Sequence, residues 1–152
     1  MRLDDLVAAI SRARVVNAPP AALWDVLADF GALSSWASNV DHSCILQRET
    51  TLLGTSRRVQ VGRNTLVERV TECAAPNVLG YAIDGLPRRL GRVSNRWTLT
   101  PAPAGGTTVT LTSSVEIGGG PIARLTESAV CRMMARQSEQ MLAGLAARVE
   151  DQ

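Results

Sequence analysis

The sequence predicts an α+β fold: a seven-stranded antiparallel curved sheet wrapped on one long C-terminal helix, with two short helices after the first strand. Three observations predict it. Six short β-rich segments follow one another between Val40 and Ile117, joined by turns too short for crossover helices. A single long amphipathic stretch comes after them. A strand, a proline break and a short helical pattern come before them.

Residues 1–11 carry Leu3, Leu6, Val7 and Ile10 at helix-like spacing, so they form a short helix or in part extend the first strand. Arg12 to Asn17 alternate as a strand. Pro19 and Pro20 break it and suit the first turn of a helix, where a missing N–H costs little. Leu23, Val26 and Leu27 place one apolar face on residues 20–29, and Gly31 ends that helix. Ala32 to Trp36 read as a second short helix. The strands fall at 40–47, 54–61, 65–73, 78–84, 92–100 and 107–117. Gly62-Arg63-Asn64, Ala75-Pro76-Asn77, Asp84-Gly85-Leu86-Pro87 and Ala104-Gly105-Gly106 supply turns between them. Gly118-Gly119-Gly120-Pro121 closes the strand region. A helix then runs from 121 to 149, with an apolar stripe of Ile122, Leu125, Ala129, Met133, Met141, Leu145 and Val149. One helix across the concave side can cover the apolar face of such a sheet. A cavity between a curved sheet and a single helix is a natural consequence.

Length and composition fit this picture. At 152 residues the chain suits one domain, 1–152, with one core. Apolar residues are 45% and charged residues 20%, close to ordinary globular values. Aromatics are only 3%, so the core is aliphatic and any inward aromatic is a candidate cavity wall. The net charge is +2, with 16 basic residues scattered among 14 acidic ones. No concentrated basic face with interleaved aromatics is present, which argues against a nucleic-acid partner. The basic turn Pro87-Arg88-Arg89 with Arg92 is read as solvated, or as attracting an anionic ligand or headgroup. The three widely spaced cysteines, Cys44, Cys73 and Cys131, read as small buried hydrophobes of a reduced, cytoplasmic chain. One histidine and no CxxC give no metal site, and no motif calls for a cofactor. No apolar run reaches the length of a transmembrane segment, and the acidic N-terminus is unlike a signal peptide. Monomer and dimer are equally compatible with the pattern.

Strand parity selects the inward residues. Arg57 shares a face with Val59 and Val61, and Glu68 with Leu66 and Val70. Leu79, Tyr81 and Ile83 share another, as do Val93, Asn95, Trp97 and Leu99, and Val109, Leu111, Ser113 and Val115. The inward set is mostly aliphatic, with Tyr81 and Trp97 as large walls and Arg57, Glu68, Asn95 and Ser113 as its polar members. That is the composition of a small-molecule site. Arg57 and Glu68 lie on adjacent hairpin strands, so they form either a structural pair or a pair that orients a ligand. His42 is either a half-exposed strand-end residue beside Asp41 or a cavity group. Trp24 reads as core at a helix–sheet contact. Trp36 falls near the expected cavity mouth, and Met133, Met134 and Met141 suit core or an adaptable cavity roof.

From Arg12 to Val149 the chain resembles the START-like (SRPBCC) superfamily of helix-grip domains, in particular its polyketide cyclase/dehydrase and lipid-transport branch. The segments that carry the resemblance are Val16 to Phe30, Trp36, Gly54 to Val61, Val67 to Val70 and Gly105 to Leu111. It is also similar to the plant abscisic-acid receptors and the birch-pollen allergen group. Those proteins hold a basic residue, an arginine and a glutamate near the ligand, and the matching positions here are His42, Arg57 and Glu68. A histidine in place of the basic residue departs from carboxylate recognition. The long family lid is matched only by the short turn Asp84 to Arg89.

The resemblance implies a small, largely apolar ligand such as a lipid or polyketide. Its contacts are expected from Trp36, His42, Arg57, Val59, Glu68, Tyr81, Val93, Asn95, Trp97, Ser113 and Met133. Two alternatives stand beside this carrier reading. A cyclase/dehydratase acting on a poly-carbonyl chain would use His42 as acid or base, Arg57 at an enolate oxygen and Glu68 to orient them. An interaction module would have its cavity filled by side chains. No GxSxG, HExxH or P-loop motif is present to decide among them.

Overall fold

The structure is a computed structural model that describes residues 6–86, 90–117 and 123–150. The elements run β1 (Leu6–Val16), α1 (Pro20–Ala28), a 3₁₀ helix (Phe30–Ser35), β2 (His42–Gln47), β3 (Ser56–Val61), β4 (Asn64–Ala74), β5 (Val78–Asp84), β6 (Leu90–Pro101), β7 (Thr107–Ile117) and α2 (Ala123–Glu150). The strands form one antiparallel seven-stranded sheet in the order β1-β7-β6-β5-β4-β3-β2. It curves around α2, as the sequence predicts. Met1 to Asp5, Pro87 to Arg89, and the break and helix start at Gly118 to Ile122 lie outside the described residues.

The open choice at the N-terminus falls to the strand. Leu6 to Val16 pair with Ile117 to Thr107 along the whole of β7. Ala8 is buried while Val7 and Val15 are exposed, the two-residue alternation of a strand. A full-length pairing partner outweighs a weak helical pattern. α1 begins with proline in its first turn and buries Leu23 and Leu27. The following 3₁₀ helix is pinned to β2: Ser43 Oγ donates to the Gly31 carbonyl at 2.7 Å and accepts from the Ser34 N–H at 2.9 Å.

Two apolar clusters fill the concave side. The larger gathers Val16, Leu23, Phe30, Trp36, Tyr81, Trp97 and Leu111 with Met141, Leu142, Leu145 and Ala146 of α2. The smaller joins Ala8, Val93 and Val115 with Val130 and Met134. The buried stripe of α2 therefore runs through Val130, Met134, Met141 and Leu145, which corrects part of the predicted one. Ala129 and Met133 are exposed, and the Ile122 and Leu125 side chains lie outside the described residues. The steps of four, seven and four residues keep that stripe on one side of the helix. The cysteines also differ from expectation. Cys44 and Cys73 are exposed and Cys131 is half-buried. Cys44 alternates with the inward Ser43 and Ile45, so parity places it on the convex face.

Gly144 fixes how closely α2 approaches the rest. A Cβ there would collide with the backbone carbonyl of Trp36. The helix thus rests directly on the end of the 3₁₀ segment. We predict that Gly144→Ala, although it raises helix propensity, lowers stability by about 1–3 kcal/mol through overpacking; chemical denaturation would measure it.

Candidate functional site

Antiparallel register aligns the inward residues in rows across the sheet. One row runs Ala8, Val115, Val93, Ile83, Glu68, Arg57, Ile45. The next, two residues along each strand, runs Ile10, Ser113, Asn95, Tyr81, Val70. Polar groups from five strands therefore meet at the middle of an otherwise aliphatic surface.

Within the first row Arg57 and Glu68 pair while both are almost fully buried. Arg57 Nε and Nη2 each lie 2.7 Å from Glu68 Oε1. Nη1 donates to the Phe30 carbonyl at 2.9 Å. The guanidinium carbon sits 3.7 Å from the Phe30 ring centroid and 4.8 Å from that of Tyr81. The guanidinium is thus bonded through all three nitrogens and lies against two aromatic faces. In the second row Ser113 Oγ donates to Asn95 Oδ1 at 2.6 Å. Asn95 Nδ2 and Trp97 Nε1 donate to the Tyr81 hydroxyl at 3.4 and 3.3 Å. Burial pushes the Tyr81 phenol above its ordinary pKa and nearby Glu68 adds to the rise. Arg57 and the two hydrogen bonds pull the other way.

A cavity of about 150 Å³ lies between these rows and α2. Its sheet wall includes Val59, Glu68, Val93, Asn95, Leu111, Ser113 and Val115, and its roof Val130, Met134, Ser138 and Met141. It occupies the gap between the two apolar clusters, at the level of the polar rows. The exposed Met133 and Gln137 sit at its rim.

Of the predicted ligand contacts, Val59, Glu68, Val93, Asn95, Ser113 and Met133 line this cavity. Arg57, Tyr81 and Trp97 are buried but absent from its lining. Arg57 is tied to the 3₁₀ helix, and Tyr81 and Trp97 belong to the larger cluster. Trp36 packs edge-on against Trp97, centroids 6.0 Å apart, away from the lining. His42 is corrected most clearly: it is exposed at the start of the edge strand, on the same face as Cys44 and Leu46. One residue of parity separates it from the inward Ser43. Sequence reasoning missed Leu33 of the 3₁₀ helix and Asn39 and Val40 of the connection into β2, which also line the cavity. Irregular backbone has no parity to reveal them. Asn39 Oδ1 is buried there without a partner. Among the described residues no cluster of three His, Cys, Asp or Glu could hold a metal ion, and no helix is long and apolar enough to cross a membrane.

Residues 7–150 match the family described as polyketide cyclase / dehydrase and lipid transport. The chain belongs to this family. Its fold is similar to that of the ZhuI aromatase/cyclase from Streptomyces sp. R1128, with a TM-score of 0.79 and 20% identity over 95% of this chain and 94% of that one. It is also similar to Ara h 8.0201, with a TM-score of 0.77 and 16% identity over 97% of this chain and 100% of that one. No curated protein matches the sequence. The family assignment agrees with the fold, and the particular site rests on this chain's own residues.

Two predictions follow from the network. Removing one partner of a buried ion pair strands the other, so Glu68→Gln should cost about 3–5 kcal/mol in chemical denaturation, while Arg57→Met combined with Glu68→Leu should recover most of it. Tyr81 is the chain's one tyrosine, and no lysine is present to titrate beside it. Its folded pKa lies above the ordinary value of 10.0, so the unfolded chain loses the phenol proton first. Stability should therefore fall as pH rises above about 10, and Tyr81→Phe should flatten that fall. Phenolate absorbance followed together with circular dichroism measures both.

Proposed function

We propose that the protein binds a small, largely apolar molecule in the cavity between the sheet and α2, with Val59, Val93, Met133, Glu68, Asn95 and Ser113 as its contacts. The cavity itself carries this reading: a gap with aliphatic walls and a few convergent polar groups, in a family described by cyclase/dehydrase and lipid-transport activity. The cyclase/dehydratase alternative draws on the similar fold of an aromatase/cyclase. It fits this chain less well. His42, its acid or base, faces away from the cavity. Arg57, its enolate stabiliser, is engaged through every nitrogen by Glu68 and Phe30. Binding needs neither. Three unpaired cysteines, two of them exposed, fit a reducing compartment such as the cytoplasm.

Native mass spectrometry of the purified protein, followed by extraction of anything bound, tests the proposal. A copurifying apolar molecule is expected, and Val93→Phe, which places a ring into the cavity, should abolish its retention while leaving the far-UV circular dichroism unchanged. Retention of the same molecule by Val93→Phe would place the binding elsewhere.

A further inference from the structure

The cavity's volume and its hydrogen-bond arithmetic narrow the ligand class, an inference that rests on the binding reading above. Ordinary ligand pockets span roughly 300–1,000 Å³. This one holds about 150 Å³, and an aliphatic cavity of that size in another protein admits one benzene ring.

The polar groups nearest Glu68 in the sheet wall are partly committed to one another. Both Arg57–Glu68 contacts fall on Glu68 Oε1, and among the described residues nothing bonds Oε2. Ser113 gives its hydroxyl proton to Asn95 Oδ1, which leaves the lone pairs of Oγ available. Asn95 Nδ2 donates one of its two N–H groups to Tyr81. Arg57, the positive partner, stands outside the lining with its three nitrogens occupied. The sheet wall therefore presents the free Glu68 oxygen and the Ser113 Oγ lone pairs to the cavity, beside the second N–H of Asn95 and, from the roof, the Ser138 hydroxyl. An anion placed there would meet Glu68 without a free cation to answer it, and would lose its hydration. A molecule with an O–H would find an acceptor.

We infer that the ligand is a neutral, single-ring compound carrying a hydroxyl, which donates to Glu68 Oε2 or Ser113 Oγ while the ring fills the aliphatic remainder. Carboxylic acids are excluded by charge and long acyl chains by volume.

Methyl NMR titration of the intact protein with phenol, toluene and benzoate separates the possibilities, because toluene and phenol are nearly isosteric and benzoate adds a negative charge. The methyls of Val93, Val115 and Met134 report occupancy of the cavity. Phenol should bind about tenfold more tightly than toluene, the worth of one hydrogen bond to a charged or buried acceptor, and benzoate should leave the methyls unmoved. A Ser113→Ala variant that lowers the phenol-to-toluene ratio without weakening toluene assigns the acceptor to Ser113 Oγ, and one that keeps the tenfold ratio assigns it to Glu68 Oε2. Equal binding of toluene and phenol, or binding of benzoate at these methyls, would overturn the inference and leave the apolar pocket standing. Methyls unmoved by all three compounds would overturn the pocket reading and the inference together.

Discussion

The buried guanidinium of Arg57 is the interaction around which this side of the molecule is arranged. One side chain ties β3 to β4 through Glu68, ties the sheet to the 3₁₀ helix through the Phe30 carbonyl, and lies over the rings of Phe30 and Tyr81. A planar group with fixed N–H directions can do this, where a lysine ammonium could not. Its desolvation is offset only because each nitrogen has a partner. The position of Glu68 follows from it, since the carboxylate is held through one oxygen and keeps the other free.

The cavity then has a physical origin. Polar rows cross the sheet at Glu68, Asn95 and Ser113, and the facing helix offers mainly aliphatic groups there. Close packing of methyls onto a carboxylate and an amide gains little and strands hydrogen-bonding groups. The core separates into two clusters, the smaller taking Ala8, Val93 and Val115 of the first row and the larger Tyr81 and Val70 of the second. At the far end of α2, Gly144 lets the helix settle onto the Trp36 backbone, so contact is tight there and a gap remains nearer the Val130–Met141 segment. Fold similarity to an aromatase/cyclase and to Ara h 8.0201 at 20% and 16% identity fixes the frame but not the contents of this gap.

Much of this was legible in the residues. Two-residue alternation identified the inward faces of β3, β5, β6 and β7, and with them Arg57, Tyr81, Asn95, Trp97 and Ser113, because a strand has only two faces and the aliphatic residues mark one. Turn residues located the hairpins, so the adjacency of Arg57 and Glu68 followed. The pattern of residues 1–11 was ambiguous because Leu3, Leu6, Val7 and Ile10 mimic a helix, and only the partner strand β7 decides it. His42 and Cys44 differ for another reason: both lie on the short edge strand β2, where burial depends on where the register starts.

Sequence by itself determined the element order, the antiparallel sheet, the single covering helix and the list of polar groups beneath it, since each depends on local periodicity or on turns of a few residues. Tertiary structure decided which of those groups reach the cavity. Arg57, Tyr81 and Trp97 share an inward face with Glu68, Asn95 and Ser113. Which of them meets the cavity depends on where α2 and the 3₁₀ helix press against that face, and that contact is set by residues far apart in the chain, Gly144 against Trp36 and Arg57 against Phe30.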